Sequence, residues 1–255
     1  MSMLLAAAST AALAAELDAA GADRVIAYHS SAYRSQRLPS VAGLLPWASA
    51  NEQTLTMLAD VVAGVRTASV IATVCANDGL IPVDQMLGRV QRMGVAGVLN
   101  APTVGFYEGT LRAVLEAEGL GRDSEIALIS KARQVGLEAW AYVFDPDWAR
   151  RAAEAGATGV IVHLGITGHP SPTDGPSCVA AAAGAGARRI LLHGGELRTP
   201  EDLAAELARY PAHLARRVNG FMGASVFEHA RRGGPLLRDW RAALSLENGD
   251  QSDER

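Results

Sequence analysis

The sequence predicts an α/β protein built as a single-domain (β/α)8 TIM barrel, and three observations predict it. A short unit recurs along the chain: a helix-like stretch, a glycine, then an apolar run rich in β-branched residues. Eight apolar runs of strand length can be counted. The chain has 255 residues, and barrels of alternating strands and helices close as one unit at about 250. An open doubly wound sheet is the competing arrangement. No GxGxxG follows the first run, which argues against its dinucleotide-binding version.

The unit reads AAGADRVIAYH with Gly21, RMGVAGVLNAP with Gly94 and QVGLEAWAYVF with Gly136. It returns as EAGATGVIVHLG with Gly156 and GAGARRILLHGG with Gly186. A glycine just past a helix supplies the left-handed residue that closes the last turn. Continuous apolar runs read as strands covered on both faces, the mark of a parallel sheet. Strands are expected at 4–8, 24–29, 69–75, 97–100, 138–144, 159–163, 189–193 and 220–223. Helices are expected at 11–20, 51–63, 83–93, 124–135, 146–155, 179–187 and 200–208, with Pro82, Pro146 and Pro200 where helices begin. The stretch 168–177 (GHPSPTDGPS) reads as a loop after strand six. The barrel is expected over 1–247, followed by a polar tail over 248–255.

Composition narrows the function classes. Apolar residues make up 49% and aromatic residues 5%, with alanine alone supplying 48 positions, so the core is built from small aliphatic side chains. The net charge of −4 and the lack of a basic block speak against nucleic-acid binding. Lys131 is the one lysine and lies in a predicted helix before strand five, the wrong end for Schiff-base chemistry. No pyridoxal phosphate or nucleotide cofactor is therefore expected. Cys75 and Cys178 form no CxxC, so neither a disulfide framework nor a zinc site is indicated. The N-terminal MSMLLAAASTAALAA superficially resembles a secretory leader, yet no basic residue precedes it and Glu16 and Asp18 follow. With no apolar run near the roughly 18 residues of a membrane span, a cytoplasmic protein without membrane association is expected. The alanine-rich helices 11–20 and 179–187 suit either internal packing or a homo-oligomer.

In this fold the active site forms at the C-terminal ends of the strands. Polar residues collect there: His29 and Ser30, Cys75 and Asp78, Asn100, His163, then His193, Gly194 and Gly195, and finally Gly223, Ala224 and Ser225. The sharpest piece is HGGELRTPEDL (193–203) followed by GFMGAS (220–225). Paired glycines let backbone N–H groups approach an anion, and loops after strands seven and eight are the usual phosphate site of such barrels. This text resembles the phosphate-binding loops of the histidine and tryptophan biosynthetic barrels; the alternative is that the glycines only make tight turns. His29, His163 and His193 are candidate acid/base groups or packed imidazoles. Asp78, in CANDG, either holds a divalent ion or takes a proton, or it caps the turn into the next helix. Arg34 and Arg112 are candidates to clamp an anion, and Glu108, Glu116 and Glu118 lie in the long segment after strand four. Cys75 is a remote candidate nucleophile.

Several stretches together resemble the phosphoenolpyruvate hydrolase-like TIM-barrel family, whose barrels also occur fused to Tm-1-like ATP-binding domains. They are GADRVIAYHSSAYR, GLLPWASAN, VIATVCANDG, GVLNAPTVGFYEGTLRAVLEAEGLG, AYVFDPDWARRAAEAGA, VHLGITG, HGG and GFMGAS, spanning about residues 20–228. The resemblance implies a distant relationship to the phosphoenolpyruvate mutase and isocitrate lyase barrels, which act on 2-oxo acids and phosphonates with Mg2+. No KKCGH lyase motif is present. The chain has Tyr28-His29-Ser30-Ser31 where the family reads YNSG, and Gly223 to His229 (GASVFEH) where it reads GASSIER.

The expected function is a lyase or hydrolase that cleaves a C–O, C–P or C–C bond of a small phosphorylated or 2-oxo acid. In that layout Gly194, Gly195, Gly223, Ala224, Ser225, Asn100 and Arg34 bind the anion. Asp78 holds Mg2+ or acts as base, while His163 and His193 move protons. The alternatives are a ligand-sensing or protein-binding barrel without turnover, and a phosphate-binding-barrel isomerase. The expected partner is a small anionic substrate, with a separate ATP-binding domain as a second partner implied by the resemblance.

Overall fold

Gly21, Gly94, Gly136, Gly156 and Gly186, the glycines that the sequence places behind helices, all take φ values between +78° and +96°. An L side chain is strained there, so glycine at these positions lets the helix end and the chain turn back into the sheet. The structure is a computed structural model that describes residues 2–45, 48–166, 168–170, 172–228 and 233–249. In chain order come β1 (Met3–Ala8), α1 (Ala11–Ala19), β2 (Arg24–Ala27), α2 (Ser31–Ser35), a 3-10 turn (Ser40–Leu44), α3 (Ala50–Gly64), β3 (Ser69–Val74), α4 (Val83–Arg92) and β4 (Gly97–Asn100). A second 3-10 turn (Val104–Phe106) leads to α5 (Gly109–Ala117), α6 (Arg122–Gln134), β5 (Glu138–Val143), α7 (Pro146–Glu154), β6 (Gly159–His163) and a hairpin of β7 (Gly165–Ile166) and β8 (His169–Pro170). The rest is α8 (Gly175–Gly184), β9 (Ile190–His193), α9 (Pro200–Leu207), α10 (Ala212–Ala215), β10 (Gly220–Gly223), α11 (Ser225–Glu228) and α12 (Gly233–Gly249).

β1 to β6, β9 and β10 form a closed parallel barrel in which β10 pairs back onto β1. Side chains alternate across the sheet. Leu5, Ile26, Ile71, Leu99, Trp140, Ile161, Leu191 and Met222 fill the interior, all fully buried. Val25, Val70, Val98, Ala139, Val160 and Ile190, one position away, pack against the helical layer. Gly159 makes the filling possible: a Cβ there would lie 2.3 Å from the Trp140 ring. At the N-terminal end of the barrel, Arg24 grips Glu138 through Nε (2.9 Å) and Nη2 (2.6 Å), and the Trp140 indole donates to the same carboxylate at 3.0 Å.

The strand boundaries differ from the sequence reading where side chains intercept the ladder. The second strand ends at Ala27 rather than 29, because the His29 N–H donates to Thr73 Oγ1 at 2.9 Å. The third ends at Val74, because the Cys75 N–H donates to Asn51 Oδ1 at 2.8 Å. The 168–177 stretch is not wholly loop. It contributes β8, and Gly175 opens α8 behind the Asp174 cap, with two residues per hairpin strand too few to leave a periodic signal. Val179 and Ala182 of that helix are buried within the chain. α12 runs two residues past 247, and positions 250–255 of the expected tail, like Pro46, Trp47 and His229, lie outside the described residues. Among the described residues no helix is long and apolar enough to cross a membrane.

Candidate functional site

A cavity opens where the strands end, and its volume is about 40 Å³ open to the centre of a water molecule. One water occupies roughly 10–15 Å³ on that measure, so the space suits a small organic acid. Tyr28, Ser30, Arg34, Thr103, Phe106, His163, His193, Ala224 and Ser225 are among the residues on its wall. Over the mouth, the turn Ser40–Leu44 is tied to the opposite loop by the Tyr107 hydroxyl, which donates to the Leu44 carbonyl at 2.9 Å.

Register alone brings two of the predicted histidines together, since His163 and His193 are paired residues on adjacent strands. Their ring centroids lie 4.7 Å apart, edge to face. His163 also stacks on Phe144 at 4.9 Å and meets the edges of Phe106 and Tyr142. The Gly165 N–H donates to His163 Nδ1 at 3.1 Å, which leaves the neutral ring's proton on Nε2. His193 Nδ1 faces the Met222 carbonyl at 2.7 Å, so that nitrogen carries the proton and Nε2 presents a lone pair. Burial, then the neighbouring His193, holds His163 well below its ordinary pKa. Burial brings His193 down to about 4, against the Met222 carbonyl and with help from Arg34. The two rings thus offer one donor and one acceptor and carry no charge at neutral pH.

Arg34 lies on α2 with its guanidinium 5.3 Å from the centre of the Tyr28 ring. Its Nε donates to Glu228, its Nη2 to Ser31 Oγ at 2.9 Å and its Nη1 to Ser40 Oγ at 3.1 Å. Ser31 in turn donates to the second oxygen of Glu228. The pair is deeply buried, with side-chain exposures of 3% and 7%. Glu228 escapes the sequence reading. It stands 194 residues from Arg34, and Ser225 to Glu228 has the SxxE spacing of a helix cap.

Other sequence candidates lie elsewhere. Asp78 is off the wall: Oδ2 accepts from Ser49 Oγ (2.6 Å) and the Asn51 amide (2.9 Å), and Oδ1 accepts from the Leu80 and Ile81 amides. Burial alone would raise its pKa, but these four donors outweigh burial and hold it below the ordinary value. Asn100 faces away from the cavity, with its Oδ1 accepting the Tyr142 N–H at 2.6 Å and its Nδ2 donating to Glu125. Glu125, a second residue the sequence reading misses, is pushed up to about 7 by burial, against the Val104 amide, Asn100, Thr103 and Arg112. Gly194 and Gly195 pack on the hairpin: the Gly195 N–H donates to the Gly165 carbonyl at 2.7 Å, and a Cβ on Gly194 would lie 2.0 Å from that oxygen. Gly223 packs against Phe227. Arg112 is paired with Glu116 at 2.6 Å on α5. Burial pushes the Cys75 thiol up to about 12, which removes it as a nucleophile at neutral pH.

A magnesium ion needs carboxylate oxygens. The wall carries none, Asp78 has both oxygens engaged, and among the described residues no three His, Cys, Asp or Glu side chains converge. The side chains at this wall do not fit that ion.

The model of a family described as phosphoenolpyruvate hydrolase-like matches residues 1–232. Two tomato (Solanum lycopersicum) proteins, the ToMV resistance protein Tm-1(GCR237) and the ToMV susceptible protein tm-1(GCR26), are each 37% identical over 224 residues. These matches cover 83% of this chain and 29% of the relatives, so the chain spans under a third of their length. A phosphonopyruvate hydrolase solved as a complex with oxalate and Mg2+ shares the fold, with a TM-score of 0.52 and 14% identity over 99% of this chain and 85% of that one.

Proposed function

The chain belongs to the phosphoenolpyruvate hydrolase-like family, and from that premise we propose that it is a ligand-sensing barrel that binds a small acid anion at its mouth without turning it over. The observation that carries this reading is the wall itself. Arg34 is its one charged residue among those described, surrounded by hydroxyls and two neutral imidazoles, with no carboxylate to serve as a base or hold a cation. Arg34 supplies charge-assisted hydrogen bonds to an anion, each worth about 1.5–3 kcal/mol. The names of the tomato relatives describe resistance and susceptibility to a virus rather than a reaction, which agrees with a sensing role. Solved structures that share the fold include a phosphoenolpyruvate phosphomutase and a phosphonopyruvate hydrolase solved with oxalate and Mg2+.

One observation favours a second reading, cleavage of a C–O, C–P or C–C bond in such an acid. His163 and His193 both line the cavity and offer one donor, His163 Nε2–H, and one acceptor, the His193 Nε2 lone pair, which could take a proton. Incubation with phosphoenolpyruvate, phosphonopyruvate or oxaloacetate, with and without Mg2+, separates the two. The expected result is no release of pyruvate or phosphate from any of the three, with thermal stabilisation by a small acid such as pyruvate itself. Steady turnover that disappears in His193→Gln would give the site to the second reading.

A further inference from the structure

The charges around the cavity bear on which acids fit it. A guanidinium has five N–H donors, and three of those on Arg34 are committed, to Glu228, Ser31 and Ser40. The positive charge is therefore balanced by a buried carboxylate, while donor capacity remains for a ligand. His163 adds no charge: an imidazolium would need an Nδ1 proton where the Gly165 N–H already points. His193 can take a second proton only on Nε2, and burial keeps that form unfavourable near neutral pH. With Arg34 and Glu228 summing to zero, a singly charged ligand leaves one net negative charge in the buried site. A doubly charged ligand leaves two, with no second cation among the described residues of the wall to meet it, and unpaired buried charge is costly.

Resting on the reading of the mouth as an acid-binding site, we infer that its ligand is a short monocarboxylate bearing a hydroxyl or keto oxygen. Glu228 is the residue that sets this specificity by excluding dianionic acids and phosphate esters. The carboxylate meets the remaining Arg34 donors. The second oxygen accepts from His163 Nε2 and, when it is a hydroxyl, donates to His193 Nε2. Glycine-rich loops that would cradle a phosphate do not compensate, because the Gly195 amide is already bonded to Gly165 and Gly194 packs against that same carbonyl.

The test is a calorimetric titration of the purified chain at pH 7.5 with pyruvate, lactate, oxalate, inorganic phosphate and phosphoenolpyruvate. Pyruvate or lactate should bind at least about tenfold more tightly than any of the dianions, the scale of one unpaired charge partly screened by solvent. In Glu228→Gln that preference should shrink by about tenfold or more, as oxalate gains on pyruvate and lactate. Arg34→Met combined with Glu228→Met removes both charges together, keeps the fold by circular dichroism, and should abolish binding of every acid. A wild-type preference for oxalate or phosphoenolpyruvate overturns the charge assignment and leaves the acid-binding reading standing. An unchanged ratio in Glu228→Gln overturns the role of Glu228. Should that variant fail to fold, the wild-type series and the double variant still decide. A folded wild type that binds none of the five overturns both readings.

Discussion

The barrel holds an Arg–Glu pair at each end, and the two are built differently. At the floor, Arg24 meets Glu138 with two parallel hydrogen bonds and spends Nη1 on the Asp23 carbonyl at 2.8 Å. Glu138 is further occupied by the Trp140 indole. The Glu138 hydrogen bond raises the Arg24 pKa; burial would raise that of Glu138, but Arg24 and Trp140 bring it below the ordinary carboxylate range. At the mouth, Arg34 meets Glu228 through Nε alone and reaches its second oxygen only by way of Ser31. The mouth pair is also the more buried, at 3% and 7% exposure against 19% and 22%. A fork closed on its partner serves as a plug. A fork bridged by hydroxyls stays open to a third party while remaining neutral overall.

The largest expected effect tests that contrast directly. Arg34→Met strands Glu228 in the protein and should cost about 3–5 kcal/mol in denaturant unfolding. Arg24→Met, at a site solvent reaches, should cost about 1–2 kcal/mol and leave acid binding intact. Equal losses would erase the distinction between the two ends.

A second effect is pH. The histidines at the mouth are depressed, with His29 and His193 near 4 because of burial. A depressed histidine stays neutral in the folded chain while the unfolded chain takes protons below about 6.5. Its stabilisation is therefore full above that pH and drains away as pH falls toward 4. Glu125, raised to about 7, works the other way, since the folded chain keeps a proton that the unfolded chain releases between about 4.5 and 7. His29 and His193 against Glu125 leave a net loss of about 3 kcal/mol between pH 6.5 and 4, and His163 acts in the same direction as the other two histidines. Melting temperatures over that range should fall well before the floor carboxylate begins to titrate. A flat profile would show that the mouth is no more sensitive than the floor.

The smallest effect concerns Asp78. Asp78→Asn should cost about 1–2 kcal/mol through weakened hydrogen bonds to Ser49 and the two turn amides, without changing acid affinity. A lost ligand response with unchanged stability would return Asp78 to the site.

Runs such as VIVH and ILLH announce strands because their residues are apolar on both faces, and Gly136 or Gly156 announces a helix end because only its backbone fits there. His163, His193, Ala224 and Ser225 reach the cavity because position at a strand end, or just beyond it, is set by the barrel's register, whereas Arg34 reaches it from α2. Gly194 and Asn100 stand equally close to strand ends yet face elsewhere, because which way a group turns depends on partners such as Gly165 and Glu125 in distant segments. Glu228 is the extreme case. Its spacing from Ser225 describes a helix start, and only the closed barrel, with β10 beside β1 and β1 beside β2, brings it to Arg34.

The indole that Gly159 admits into the barrel has a kinetic meaning as well. Trp140 and its layer fill the interior, with Arg24 and Glu138 beneath them, and the cavity lies at the mouth. A ligand beside His163 would leave on the side it entered. Its exit would pass the Ser40–Leu44 turn, which Tyr107 holds. A protein seated over that turn would lengthen the dwell time without touching the ligand.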